Sequence, residues 1–436
     1  MRQRTPTLPL FLAVIGVGIC LAGPSAGQSR SDDLRALGQM LALVPDTVGV
    51  RQAPIVVDYV DYRAIEAAVG APSPGSLEVL DSLSAGQFKA WSRALSRVEF
   101  DPLDLANALP GEALARAVPY TTSGLRGYPG ALGIEWFAID RALAIGGPPA
   151  RGTVLGGGDR LTDLRSIAPV LRGRDFEVQS MNGTLVWHRF DDREIRAKAM
   201  DGPDDLGFRN TDPFGIQSGH AARIAALPGA LAGSRDWALI ADIVGAADGT
   251  TRSLADNSAY RAAAAAITDD GRYGGMLVRA LFTERQFTAG SVSRNKLGSS
   301  AGEGQREVFA EVLESRLKSE LPPYRLAVMA DRQEGPNEVA LVALVYGTRD
   351  EAEAAAAAVS SRVGDYAPLL QKVPLADAFS LSIGSHVYQA PGGGPAVAVI
   401  TMSEPVKPEE RPGRLFRTLQ TGFFFLEPEF LIVSAQ

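Results

Sequence analysis

His188, His220 and His386 are the three imidazoles of this 436-residue chain, and their spacing limits the chemistry open to it. No two stand at metal-ligand spacing and there is no His-Glu-x-x-His, which excludes a zincin-type centre. His220 has the neighbourhood with most catalytic promise. The stretch Asp212-Pro213-Phe214-Gly215-Ile216-Gln217-Ser218-Gly219-His220 reads as a loop entering a helix predicted over 221–227. Ser218 as nucleophile, His220 as base and Asp212 as orienting carboxylate would make a hydrolase. Two facts weigh against it. The serine lacks the Gly-x-Ser-x-Gly elbow, and residues two apart do not face each other on a helix. Ser218 therefore reads first as a helix cap, and His188 and His386 as side chains on exposed or edge strands.

Acidic residues offer a second chemistry. Asp191, Asp192 and Glu194 are the candidate metal ligands, followed by Asp201, Asp204 and Asp205. Calcium takes several carboxylate and carbonyl oxygens in a flexible loop, but no EF-hand or Gly-Gly-x-Gly-x-Asp repeat is present, so a solvated loop is the simpler expectation. Ser293–Lys296 and Ser315–Lys318 match Ser-x-x-Lys without the companion Ser-Asp-Asn and Lys-Thr-Gly of penicillin-binding enzymes. Gly156–Gly158 and Gly392–Gly394 lack both the Lys-Ser/Thr of a phosphate loop and the spacing of a dinucleotide fingerprint. They read as turns. Trp136, Trp187 and Trp237 read as core residues in strands. No cofactor site follows from any of these motifs.

The elements that position these residues follow from periodicity. Leu10 to Ala22 is an uncharged apolar run after basic Arg2 and Arg4, with small residues at Ser25-Ala26-Gly27. That is the layout of a cleaved secretory leader. Its about 13 apolar residues fall short of the ~20 that span a bilayer. Cys20, the one cysteine, lies inside that run. Ile19 before it argues against lipidation, and the mature chain then has no thiol, disulfide or Cys-ligated metal. Removing Arg2 and Arg4 takes the net charge from -7 to -9 (41 basic against 50 acidic residues). An acidic balance disfavours nucleic acid as a partner; membrane attachment is expected only if the leader is retained.

Helices are predicted over 33–43, 77–98, 254–267, 303–317 and 348–363, the last opened by the capping box Thr348-Arg349-Asp350-Glu351. The face of the 303–317 helix is expected to bury Val308, Phe309, Val312 and Leu313. Strands are predicted at 55–60, 134–139, 152–155, 176–181, 184–190, 237–244, 276–282, 324–330, 339–346, 379–388, 396–402 and 423–433. Asn182-Gly183 marks a hairpin, because a type I′ turn needs positive φ at both central residues. At an offset of 191, Asp140-Arg141 falls on Asp331-Arg332, Gly156 on Gly347 and Asp159 on Asp350, which implies a duplicated β-β-α-β-β unit. The expected fold is α+β: two duplicated halves with mainly antiparallel sheets, after a short helical region. The expected divisions are a leader over 1–27, a helical region with one strand over 28–125, and halves over 126–250 and 251–436.

Asp140-Arg141-Ala142-Leu143-Ala144, Gly147-Pro148-Pro149, Val154-Leu155-Gly156-Gly157 and the Ser253-Leu254-Ala255-Asp256 helix opening carry a resemblance. They resemble segments of an uncharacterised family of exported bacterial α/β proteins, over about a quarter of the chain, by analogy alone. The resemblance implies export and a mixed α/β fold, and it transfers no catalytic residue. The expectation is an exported, non-catalytic binding or cell-envelope interaction protein, with an unknown ligand or envelope protein as partner and a groove between its halves. The alternative is a periplasmic hydrolase using Ser218 and His220 or a carboxylate pair.

Overall fold

A computed structural model describes residues 30–47, 56–68, 73–95, 97, 122–147, 150–192, 194, 214, 221–269, 272–298, 301–317, 319–367, 373–406, 412–424 and 428–434. The expected leader over 1–27 and the candidate residues Asp201, Asp204, Asp205, Asp212, Ser218 and His220 lie outside them. The chain opens with α1 (Arg30–Leu41), β1 (Val56–Asp61), α2 (Tyr62–Ala68), α3 (Leu77–Ser82), α4 (Ala85–Leu95) and α5 (Thr122–Leu132). Next come β2 (Arg141–Gly147), β3 (Ala150–Gly156), α6 (Leu164–Arg172), β4 (Glu177–Met181), β5 (Thr184–Arg189), β6 (Ala222–Leu227), β7 (Ala230–Ser234), α7 (Trp237–Asp248) and α8 (Ser258–Ile267). The remainder is β8 (Met276–Thr283), α9 (Ala289–Leu297), α10 (Glu303–Arg316), β9 (Leu326–Glu334), β10 (Asn337–Tyr346), α11 (Arg349–Val363), α12 (Leu375–Phe379), β11 (Ser382–Gln389), β12 (Ala396–Pro405) and α13 (Arg414–Phe424).

All the strands among the described residues join one 12-stranded sheet in the order β11-β12-β10-β9-β8-β1-β2-β3-β7-β6-β5-β4. Every adjacent pair is antiparallel. The fold is α+β, with helices on both faces of the sheet. On one face α1, α7 and α8 bury Leu37, Ile240 and Ala263 against Val57, Leu143, Val154 and Leu341. On the other, Trp91, Leu125 and Leu171 cover Ala142, Leu155 and Trp187, while Val292, Val359 and Leu419 cover Met329, Val342 and Ile400. Two covered faces explain why β10, although antiparallel, is apolar without a break from Val339 to Tyr346: nine of its ten residues are buried.

The strand order is symmetric about the β1–β8 pair. Each side starts with a three-stranded meander, β1-β2-β3 or β8-β9-β10, and its third strand receives a hairpin, β6-β7 or β11-β12. The first side then adds β4-β5 beyond β6. The offset-191 echo does not follow this symmetry. Asp140 precedes β2 at the open end of the β2–β3 hairpin, whereas Asp331-Arg332 lie beside the β9–β10 turn. A groove was expected between the halves. Instead β1 and β8 pair from Val56↔Thr283 to Val60↔Arg279, and the sheet runs through without a break.

Several sequence expectations change for identifiable reasons. The segment from Trp237 is α7, not a strand. Asp236 caps it by accepting from the Ala238 and Leu239 amides, and Gly249 ends it at φ 79°. Ala222–Leu227 is a strand, not a helix. Its turn is Pro228-Gly229 with Gly229 at φ 69°, as a type II turn requires, and pairing with β5 and β7 overrides alanine's helix propensity. Trp136–Ala138 forms a 3-10 turn within 134–139. Residues 375–379 and 414–424 are helical, so the expected strands over 379–388 and 423–433 shrink to β11 and to no named strand. The α10 helix buries Leu313 but leaves Val308 61% exposed, since it packs along a narrower stripe than expected. The 182–183 hairpin and the Thr348 capping box are as read.

Candidate functional site

The outer corner of the first half holds an open cleft of about 400 Å³, lined by Asp175, Glu177, His188, Arg189, Phe190 and Asp191. Its floor is a row across one sheet face, because direct cross-strand partners share a face: Glu177 of β4 opposes His188 of β5, and His188 opposes Arg223 of β6. Trp237, the first residue of α7, closes the row. Its ring lies 5.1 Å from the His188 ring and 5.0 Å from the Arg223 guanidinium. The far wall is Arg189, whose guanidinium stands 5.1 Å from the Phe176 ring and 4.8 Å from the Phe190 ring.

Phe190 is held in the left-handed region at φ 64°. Asp175, Asn182 and Ser380 are the other non-glycines at positive φ among the described residues. Asp and Asn tolerate that region through local hydrogen bonds, and a bulky aromatic does not. The cause is visible beneath it. Arg223 is buried; its Nη2 donates to the Phe190 carbonyl at 3.0 Å and its Nη1 to the Arg235 carbonyl at 3.3 Å. Asp192 pairs with the same guanidinium at 2.7 Å and accepts from the Trp237 amide at 3.2 Å. Burial pushes the Arg223 pKa down, with Asp192, Asp236 and Asp191 opposing. Arg223 thus clamps the exit of β5 in a conformation that costs on the order of 1–3 kcal/mol.

The acidic trio is brought together, but in other roles than ligation. Asp192 serves Arg223 and the start of α7, and the Glu194 carboxylate accepts from the Asp191 amide at 3.0 Å. Among the described residues no group of three or more His, Cys, Asp or Glu side chains is placed to hold a metal ion. His386 lies in β11, its Nε2 3.5 Å from the Tyr273 hydroxyl. Burial and the Arg272 charge bring its pKa down to about 4. Ser293 donates to the Arg306 carbonyl and Lys296 pairs with Glu429, so that Ser-x-x-Lys match is spent on packing.

Sequence reading passed over Arg223, Glu177 and Arg189. Arg223 sat in a segment read as helix, so its place in a cross-strand row was invisible. The alternation that puts Glu177 and His188 on one face was legible on both sides of Asn182-Gly183.

A second unforeseen set of charges lies inside the molecule, on the opposite sheet face. Asp58 of β1 receives Arg279 of β8 through two bonds of 2.9 and 2.6 Å. Asp331 of β9 receives Arg97 through two bonds of 2.7 Å, and Arg97 also donates to the Gln333 side chain. Glu338 of β10 accepts from the Gly413 amide at 2.6 Å, just before α13. All five charged side chains are buried. For four of them the signal was available: Asp58, Arg279, Asp331 and Glu338 each place a charge in a largely apolar strand at a core-facing position.

Burial, reinforced by the Asp331 charge, raises the Glu338 pKa above the ordinary carboxylate value, although Arg97, the Gly413 amide and Arg417 oppose the shift. A carboxyl whose folded pKa lies above its unfolded one contributes stability at low pH that is lost as pH rises through the folded pKa. Glu338→Gln is therefore expected to raise the unfolding midpoint at pH 7 and above, since the amide keeps an acceptor for Gly413 without a buried charge. The gain should vanish as the pH falls and the wild-type carboxyl protonates. Thermal melts across pH 4 to 8 check this, and a gain independent of pH would contradict it.

Comparison with known proteins identifies no family. No family model matches the chain, and no curated protein matches it. One solved structure, titled "Structure of crystal form I of TP0453", aligns over 86% of this chain and 98% of its own, at 7% identity and a TM-score of 0.31. Likeness at that level carries neither fold nor function across.

Proposed function

We propose that this chain is an exported, non-catalytic binding protein of the cell envelope that takes a small cationic group in the cleft at the β4–β5 corner. The observation that carries the reading is Phe190, an aromatic residue held at φ 64° by a buried arginine at the cleft wall. Strain maintained by such a clamp concentrates at functional positions. The lining supports the ligand class. Asp175, Glu177 and Asp191 supply three carboxylates against the single cation Arg189, whose guanidinium rests against two phenyl rings. An amine or guanidinium would meet carboxylate acceptors on several sides, with the Phe190 ring beside them in the lining. Export is supported by the leader pattern of residues 1–27; among the described residues no helix is long and apolar enough to cross a membrane.

The test is a thermal-shift panel of arginine, lysine, putrescine and choline against acetate, succinate and citrate. An amine at a hundred times its Kd is expected to raise the midpoint by about 3 °C. The double variant Glu177→Gln/Asp191→Asn should lose that rise while keeping the ligand-free midpoint, because both side chains are exposed. A shift with carboxylates alone, or with none of the amines, would overturn the reading.

A further inference from the structure

The sheet ends in two edges of different character. At one end β4 has five residues and carries Glu177. At the other, β11 is eight residues long: Ser382-Ile383-Gly384-Ser385-His386-Val387-Tyr388-Gln389. It contains no Asp, Glu, Lys, Arg or Pro. Its pairing with β12 is regular from Ser382↔Ser403 to Gln389↔Ala396, with no bulge. Edge strands are normally blunted by brevity, a lysine, a proline or a bulge, because their outward N–H and C=O groups are a template for another strand. None of these devices is present in β11.

We infer that β11 is the interface for a second copy of this chain, the two β11 strands pairing antiparallel about a two-fold axis normal to the sheet. Parity and side-chain size select the register. Residues opposed across an antiparallel pair must share a sheet face. With Ser385 on the axis, Ile383 of each copy faces Val387 of the other on one face. Gly384 faces His386 on the opposite face, so the smallest residue meets the imidazole. Ile383 and Val387 are half-buried and already join the core beneath α11, and the pairing would continue that apolar row across the axis. The whole chain carries a net charge of -7, so association between copies is unfavourable wherever acidic side chains meet. A strand without charge is where self-pairing escapes that penalty, and an isologous two-fold closes on itself.

Sedimentation velocity on the purified chain is expected to show a dimer. Ser385 is exposed, so Ser385→Lys leaves the fold intact while setting two ammonium groups against each other on the axis. It should weaken the dimer at least about tenfold. Ser385→Cys in a Cys20→Ser background should form a disulfide-linked dimer under mild oxidant, and Ser382→Cys, off the axis, should not. A monomer at all concentrations, with β11 amides exchanging freely and thus open to a strand of some other protein, would overturn the inference. So would a dimer that Ser385→Lys leaves unchanged.

Discussion

Arg279→Met is expected to lower the stability of the chain by about 3–5 kcal/mol, the largest loss available from one side chain at the middle of the sheet. Arg279 and Asp58 are 1% and 0% exposed and meet through two bonds at the β1–β8 pair. Methionine fills much of the same space, so the loss comes from the charge left on Asp58 without its partner and without water. The partner variant separates that penalty from the worth of the pair. Asp58→Leu/Arg279→Met removes both charges and should recover most of the loss, because well-packed apolar pairs often match buried ion pairs. Urea denaturation of the single and double variants measures both. A double variant no more stable than Arg279→Met alone would show that the pair is needed for the geometry of the strand junction.

Arg97→Leu is expected to cost a similar amount, about 3–5 kcal/mol, by a different route. Arg97 follows α4 and reaches Asp331, 234 positions away, tying the helices packed over the first half to β9 of the second. Its loss leaves Asp331 beside Glu338, two buried carboxylates with one cation fewer between them. Gly413 packs against the same point: its φ is +71°, and a Cβ there would lie 2.7 Å from Arg97 Cγ and 3.3 Å from Asp331 Oδ2. Hydrogen exchange should therefore show loss of protection in α13 and the end of α4, while β2 and β3 keep theirs. A uniform loss across the sheet would mean that the contact acts on the whole fold and not as a local tie.

Much of the framework was legible because its causes are local. The α11 helix is opened by the Thr348 hydroxyl and the Glu351 carboxylate, three residues apart, bonding each other's amides. The β4–β5 hairpin follows from Asn182 and Gly183, both at positive φ. Errors arose where an apolar segment had no nearby arbiter. Trp237–Asp248 is apolar on most sides, and its helical state is decided by Asp236 before it and Gly249 after it, with the twelve helical residues between them. Ala222–Leu227 has strong helix formers and becomes a strand because β5 and β7 supply partners on both edges.

The site divides in the same way. The sequence alone determined which short motifs the chain carries, since residue types and spacings are properties of the chain itself. It also determined the α+β class, through periodicity and caps. Only the tertiary structure decided that the strands close into one sheet, that Arg223 clamps Phe190, and that Asp58 finds Arg279 across 221 positions. A buried charge is tolerated only when an opposite charge arrives at hydrogen-bond distance. That distance is set by which strands become neighbours, a choice made by the packing of the whole chain and not by any segment of it.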